Sequence, residues 1–152
     1  MVATNWGAQQ YRRAREIAWT GATTVALVCG AIGLIVAFRP GLWIGLFSDD
    51  AEVARLGTLY LRIVGPAYLL LGLGFGLFYV NLGLGRAVAA MNANAVRMVA
   101  SAGGGLVAIY WLDLGVAGLF AAVAAGFCVY AAMLVQAVFS MKVPDAANAL
   151  TS

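Results

Sequence analysis

Long apolar runs alternate with short polar or glycine-containing breaks along this chain, and each run is long enough to cross a membrane. A membrane-spanning helix needs about 20 predominantly apolar residues. Four stretches have that length and character, at residues 17–38, 63–84, 93–112 and 116–139. The pattern predicts an all-α, polytopic membrane protein with four transmembrane helices.

Polar segments flank the predicted spans. Residues 1–16 form a basic lead-in and residues 140–152 a polar tail, and no linker divides the chain, so residues 1–152 form a single membrane unit. Between the first two spans, residues 42–47 (LWIGLF) are too short to cross the bilayer. Their aromatic side chains suit a position at the level of the lipid headgroups.

The second predicted span begins at an acidic cap and contains a proline. Asp49, with Glu52 three residues later, fits the start of a helix with a capping box. Gly65 and Pro66 lie inside the same helix, where a proline removes one backbone hydrogen bond. We expect a kink at Gly65–Pro66, and a hinge there if the protein changes conformation.

Small residues recur at a spacing of four in two of the predicted spans. Gly72 and Gly76 share one helix face, and so do Ala122 and Gly126. Small residues let membrane helices approach closely. This spacing predicts helix packing inside one protein.

Composition supports the bilayer as the surrounding solvent and narrows the chemistry. Hydrophobic residues make up 64% of the chain and charged residues 10%, whereas soluble domains are about half apolar and a quarter charged. The net charge of +3 is too small to indicate a nucleic-acid partner. There is no histidine, and Cys29 and Cys128 lie in apolar runs. We therefore expect no catalytic residue, no metal site, no cofactor and no enzymatic activity.

Basic residues concentrate on one side of the predicted spans. Six lie in or near the segments on one side: Arg12, Arg13, Arg15, Arg86, Arg97 and Lys142. The opposite side has three, at Arg39, Arg55 and Arg62, together with Asp49, Asp50, Glu52 and Asp113. Because basic residues favour the cytoplasmic side, this bias predicts a multi-pass protein of the plasma (inner) membrane with both termini in the cytoplasm.

None of the predicted spans has a carboxylate at mid-depth, where coupling ions usually bind. This excludes the small multidrug resistance exporters, which need an acid in their first span. A claudin-like protein would need its cysteines in an extramembrane loop near Trp43, and Cys29 and Cys128 do not lie there. By itself, the chain has no evident site for a coupling cation.

The remaining polar candidates lie at the start of the third predicted span. Asn92, Asn94 and Arg97 could meet on adjacent faces of one helix. One hypothesis makes them the polar lining of a substrate cavity open to the cytoplasm. The alternative is structural, with Arg97 extending to the membrane surface or bracing a loop while the asparagines tie helices together.

Several motifs follow one another in an order that resembles a known transporter family. They are residues 5–9 (NWGAQ) with 12–15 (RRAR), 47–53 (FSDDAEV), 60–63 (YLRI), 81–86 (NLGLGR), an arginine at 97, and 115–118 (GVAG). In this order they resemble the multidrug and toxic compound extrusion (MATE) family, with Asn81 in place of the usual glutamine.

The resemblance implies that the chain is the C-terminal third of a twelve-helix transporter. Its four helices would be the ninth to twelfth and would form part of one six-helix lobe. Its partners would then be the lipid bilayer, the missing N-terminal lobe and helices, and a small-molecule substrate. The implied function is cation-coupled efflux of organic cations or drug-like compounds, with H⁺ or Na⁺ as the coupling ion of the full-length parent and its site outside this chain.

Two further hypotheses stay open at this point. Lipid-linked oligosaccharide flippases share the architecture of the MATE family, so the substrate class is less closely defined than the fold. The other hypothesis is a stand-alone four-helix membrane protein that acts by oligomerisation or by binding a partner through its glycine-rich faces.

Overall fold

The computed structural model describes residues 1–140, which form seven helices and contain no strand. The helices are α1 (Val2–Gly7), α2 (Tyr11–Phe38), α3 (Pro40–Ile44), α4 (Ala51–Val64), α5 (Tyr68–Gly83), α6 (Ala87–Tyr110) and α7 (Gly115–Phe139). The predicted all-α fold is confirmed. Of the predicted tail at 140–152, only Ser140 falls within the described residues.

Length and hydropathy identify α2 and α7 as helices able to cross a membrane. The pair α4 and α5 meets the same criteria if it is one span bent by 61°. Within residues 1–140, α6 is a continuous helix of 24 residues but is not apolar enough to meet them. A polytopic helical membrane protein is thus confirmed, while the exact number of four spans stays a prediction.

The closest helix contact joins α2 to α5 through small residues. The buried face of α2 carries alanine or glycine at nearly every turn: Ala14, Ala18, Ala22, Ala26, Gly30 and Gly33. A methyl group added at Gly76 would lie 2.5 Å from the Cα of Ala22, and one added at Gly72 would lie 2.7 Å from the Cβ of Cys29. The predicted role of Gly72 and Gly76 in helix packing is confirmed.

A second close contact joins α6 to α7. A methyl group at Gly126 would collide with the hydroxyl group of Ser101 and would lie 3.3 Å from the backbone oxygen of Arg97. One turn earlier on α7, Ala122 lies against Gly104, with 3.2 Å to the position of an added Cβ. The spacing of Ala122 and Gly126 thus serves contact with α6.

The bend in the α4–α5 pair lies directly against α2. Residues 65–67 separate the two helices, so the chain changes direction at the predicted kink. A Cβ at Gly33 would overlap the carbonyl oxygen of Gly65, and a Cβ at Gly65 would lie 2.6 Å from the carbonyl oxygen of Gly33. The backbone of the bend therefore touches the backbone of α2.

One local prediction needs correction. Asp50, rather than Asp49, caps α4: its carboxylate accepts hydrogen bonds from the backbone N–H groups of Glu52 at 2.8 Å and Val53 at 3.1 Å. A short helix, Pro40–Ile44, overlaps the predicted interfacial segment, and Pro40 fits its first turn. The helix that contains the third predicted span begins at Ala87, six residues before that span.

We predict that Gly76→Ala destabilises the protein, because its methyl group overpacks the contact with Ala22, a change that typically costs about 1–3 kcal/mol. Gly103→Ala is the matched control, since nothing lies within 4 Å of the added methyl group. The measurement is the melting temperature of each purified variant in detergent. Equal melting temperatures would contradict the close α2–α5 contact.

Candidate functional site

Arginines at one end of the bundle connect it to the last turns of α7. The guanidinium of Arg15 lies 5.4 Å from the ring centre of Phe139, and Arg86 Nη1 donates a hydrogen bond of 2.7 Å to the backbone oxygen of Ala137. The start of α2, the turn between α5 and α6, and the end of α7 therefore share one end of the bundle. Which side of the membrane this end faces stays a prediction.

Arg97 does not belong to that end. It lies ten residues after the first residue of α6, which is about 15 Å along the helix axis. Its guanidinium carbon is 5.9 Å from the ring centre of Phe127 and 5.4 Å from that of Tyr130, near the middle of α7. Arg97 therefore lies near the middle of the α6–α7 pair, and its depth in the membrane stays a prediction.

The two rings beneath Arg97 are part of a longer aromatic row between α7 and the α4–α5 pair. The row consists of three pairs, with ring centres 5.1, 6.4 and 6.3 Å apart: Tyr60–Phe120, Tyr68–Phe127 and Phe75–Tyr130. The hydroxyl groups of Tyr60 and Tyr68 lie 3.5 Å apart across the bend. Both halves of the bent pair thus rest on α7 through aromatic rings.

Within residues 1–140, Arg97 has no acidic partner. The ion pairs there join Arg12 to Glu16 and Glu52 to Arg55, on exposed faces. The Nε–H group of Arg97 is buried and lacks a hydrogen-bond acceptor. A cation–π contact contributes about 0.5–2 kcal/mol, whereas an arginine at the membrane centre costs about 2.5–3.5 kcal/mol. The rings offset part of the cost of burying the charge, and the Nε–H of Arg97 stays without an acceptor among residues 1–140.

The structure separates the three polar residues proposed for the cavity. Asn94 and Arg97 are three residues apart on α6, on one face, and both are partly exposed. Asn92 is exposed and lies five residues from Arg97, which is about 140° around the helix. Ser101, four residues after Arg97, extends the same polar face and is partly exposed. The polar face therefore contains Asn94, Arg97 and Ser101, without Asn92.

Sequence analysis did not find the partners of Arg97. Phe127 and Tyr130 look like ordinary apolar positions of a spanning helix, and only the contact between α6 and α7 shows that they hold a cation. Asn81 is also fully buried: its Nδ2 donates to the backbone oxygen of Leu77 at 2.8 Å, and its Oδ1 has no partner among the described residues. A lone asparagine in an apolar run was the available signal for that position.

The MatE family model matches residues 1–107, which is 107 of the 152 residues of the chain. The chain belongs to the MatE family. No curated protein and no solved structure matches the chain. The matched part extends from α1 through most of α6, so it includes the bend and Arg97.

MatE is a family of transporters, and its members are integral membrane proteins. Membership therefore confirms the predicted family and a role in membrane transport at that level. It does not favour the stand-alone four-helix hypothesis. The expectation that the protein has no enzymatic activity stays a prediction.

We predict that Arg97→Met lowers the free energy of unfolding by less than about 1 kcal/mol, or raises it, because methionine keeps an apolar stem and removes an unmatched charge. Arg86→Met is the matched control and should lower stability by about 1.5 kcal/mol, since it removes a charged hydrogen bond. Thermal melting in the same detergent compares them. A larger loss for Arg97→Met than for Arg86→Met would make Arg97 a structural residue.

Proposed function

We propose that this chain is the C-terminal third of a twelve-helix efflux antiporter that exports organic cations or drug-like compounds. The family assignment supports the transporter class, and the order of the motifs along the chain supports the position within the parent. The four helices would belong to one six-helix lobe, and the substrate path would run between this lobe and the rest of the protein.

The observation that carries the proposal is the bend between α4 and α5. The α4–α5 pair, which we take as one membrane span, is interrupted at residues 65–67, turns by 61° and touches α2 through Gly33 and Gly65. Broken helices next to a substrate path are the usual places where transporters change shape. Pro66 keeps the backbone of this span unpaired at one position. We propose that Gly65 and Pro66 form a hinge used during alternating access.

Coupling to H⁺ or Na⁺ would be supplied outside this chain. Within 1–140, the aspartates and glutamates lie at helix starts or in connecting segments, outside the middle of the long helices. A coupling carboxylate would therefore belong to the remainder of the parent protein. Asn94 and Arg97 would line the substrate cavity, and Asn92 would lie on a neighbouring face of the same helix.

We expect Pro66→Ala to lower the turnover of the full-length parent severalfold, because a restored backbone hydrogen bond favours a straight span. Pro40→Ala is the matched control: Pro40 occupies the first turn of α3, where proline is tolerated, and lies outside the bent pair. The assay is efflux from proteoliposomes of a cationic, a zwitterionic and an anionic dye under an imposed H⁺ or Na⁺ gradient.

The outcome for transport separates two ideas. Unchanged turnover in Pro66→Ala, with normal reconstitution, would remove the hinge from the proposal. Absence of efflux of all three dyes by the unmodified parent, under either gradient, would refute the proposed antiport.

Orientation is tested with two cysteines at opposite ends of the bundle. On a background without other cysteines, Asp49→Cys should react with a membrane-impermeant maleimide added to intact cells, and Ser140→Cys should react only after the cells are opened. Both positions are exposed, so accessibility is matched. The reverse labelling pattern would place the termini outside the cytoplasm.

A further inference from the structure

Arg97 presents a positive charge near the middle of α6 and has no acidic partner among residues 1–140. It lies near the middle of α6, and its contacts are the rings of Phe127 and Tyr130 near the middle of α7. Its Nε–H is buried without an acceptor, and no carboxylate of residues 1–140 pairs with it. Ionisable residues inside a membrane protein usually mark a functional site, and their partner is the first question to ask.

The geometry of the side chain selects the kind of partner. A guanidinium is planar and offers its N–H groups as a fork that matches the two oxygens of a carboxylate. The ring centres of Phe127 and Tyr130 lie within 6 Å of its carbon, so part of its surroundings is aromatic. The residue as a whole is partly exposed. A ligand can therefore reach the remaining donors.

The residues around Arg97 indicate the character of the uncharged part of the ligand. The aromatic row continues from Phe127 and Tyr130 to Tyr68 and Phe75. Phe127 and Tyr130 are buried behind the charge, so a ligand would meet the row at Tyr68, which is partly exposed, and at Phe75, which is 41% exposed. On the polar side, Asn94 and Ser101 flank Arg97 by one turn in each direction on α6. The Asn94 amide is a further hydrogen-bond donor on that face, whereas the Ser101 hydroxyl packs against Gly126.

We infer that Arg97, with Phe127 and Tyr130 behind it, is a binding site for the anionic group of an aromatic or amphiphilic small molecule, such as an aryl carboxylate. Pairing at the accessible donors of Arg97 would neutralise a charge that has no acidic partner among residues 1–140. The inference rests on the proposed function, because it takes Arg97 as part of the substrate cavity. It narrows the substrate class to drug-like compounds that carry an anionic group.

Charge argues against a permanent organic cation at this position. The same aromatic rings that would attract a cation already hold the guanidinium. Two positive charges a few ångströms apart in a low-dielectric site repel each other strongly. A cationic compound therefore binds here only if it also carries an anionic group that faces Arg97.

An anionic group has two sources, a small molecule or the headgroup of an anionic lipid. The aromatic row beside Arg97 matches an aromatic body better than a headgroup, so we propose the small molecule.

The test is equilibrium binding of 1-naphthoate to the intact protein in phosphatidylcholine nanodiscs, measured by calorimetry. Its size-matched cation, 1-naphthylmethylammonium, is titrated in parallel. We expect the carboxylate to bind and the ammonium to bind at least about tenfold more weakly. Arg97→Gln should weaken naphthoate binding about tenfold or more, the loss expected for a charged hydrogen bond. Arg97→Lys should fall between the two, because it keeps the charge and loses the planar fork.

Arg39→Gln is the matched control, since Arg39 lies beyond the end of α2, and should leave binding unchanged. Melting curves establish that each variant is folded. If Arg97→Gln does not fold, Phe127→Leu tests the site by removing one supporting ring, and the ¹⁵Nε–H resonance of Arg97 should shift on adding naphthoate to the unmodified protein. Equal naphthoate binding by folded Arg97→Gln, or the absence of that shift, would overturn the inference.

Two further arms separate the alternatives. In nanodiscs containing phosphatidylglycerol, naphthoate affinity should stay the same; a loss that disappears in Arg97→Gln would assign the site to a lipid headgroup and overturn the inference. Binding without efflux would refute the proposed antiport and leave this site standing. Efflux with unaltered binding in Arg97→Gln would refute this site alone.

Discussion

Direct contact between helix backbones is the constraint on which the rest of this structure depends. Lipid is as apolar as the side chains themselves, so burial of leucine or valine gives little reason for membrane helices to associate. Close approach supplies that reason here: Gly72 and Gly76 of α5 rest on the alanine face of α2, and Gly126 of α7 rests on the backbone of α6. Once α2 and α5 are fixed, the bend ahead of α5 and the aromatic row along α7 have defined positions.

The features that local chemistry determines were predictable from the sequence. α2 ends before Pro40, and α7 begins at Gly115, whose backbone has a positive φ of 57°. Proline and glycine change the backbone conformation at their own positions, so these helix ends can be predicted locally. Neighbouring acidic residues are harder to distinguish, so the sequence predicted Asp49 as the cap of α4, where the structure has Asp50. α6 begins before the predicted span because hydropathy measures affinity for lipid, whereas a helix also continues through Asn92 and its polar neighbourhood.

The candidate site was predictable only in part, since its charge is visible in sequence and its surroundings are not. Arg97 and Asn94 were chosen because polar groups are expensive in an apolar run. The sequence does not show that Arg97 lies against the middle of α7. Phe127 and Tyr130 are thirty or more residues away along the chain, and nothing in their own segment distinguishes them from ring positions that face lipid. Such pairs arise from the docking of α6 on α7.

The contact between Gly33 and Gly65 also limits the direction in which α4 could move at the proposed hinge. Because each glycine leaves no room for a Cβ against the carbonyl oxygen of the other, the peptide planes of α2 and the bend act as a mechanical stop. At the proposed hinge, movement of α4 toward α2 would therefore be blocked, while movement of α4 away from α2 would meet no clash. Any substitution that enlarges either glycine would hold α4 away from α2, even with Pro66 intact.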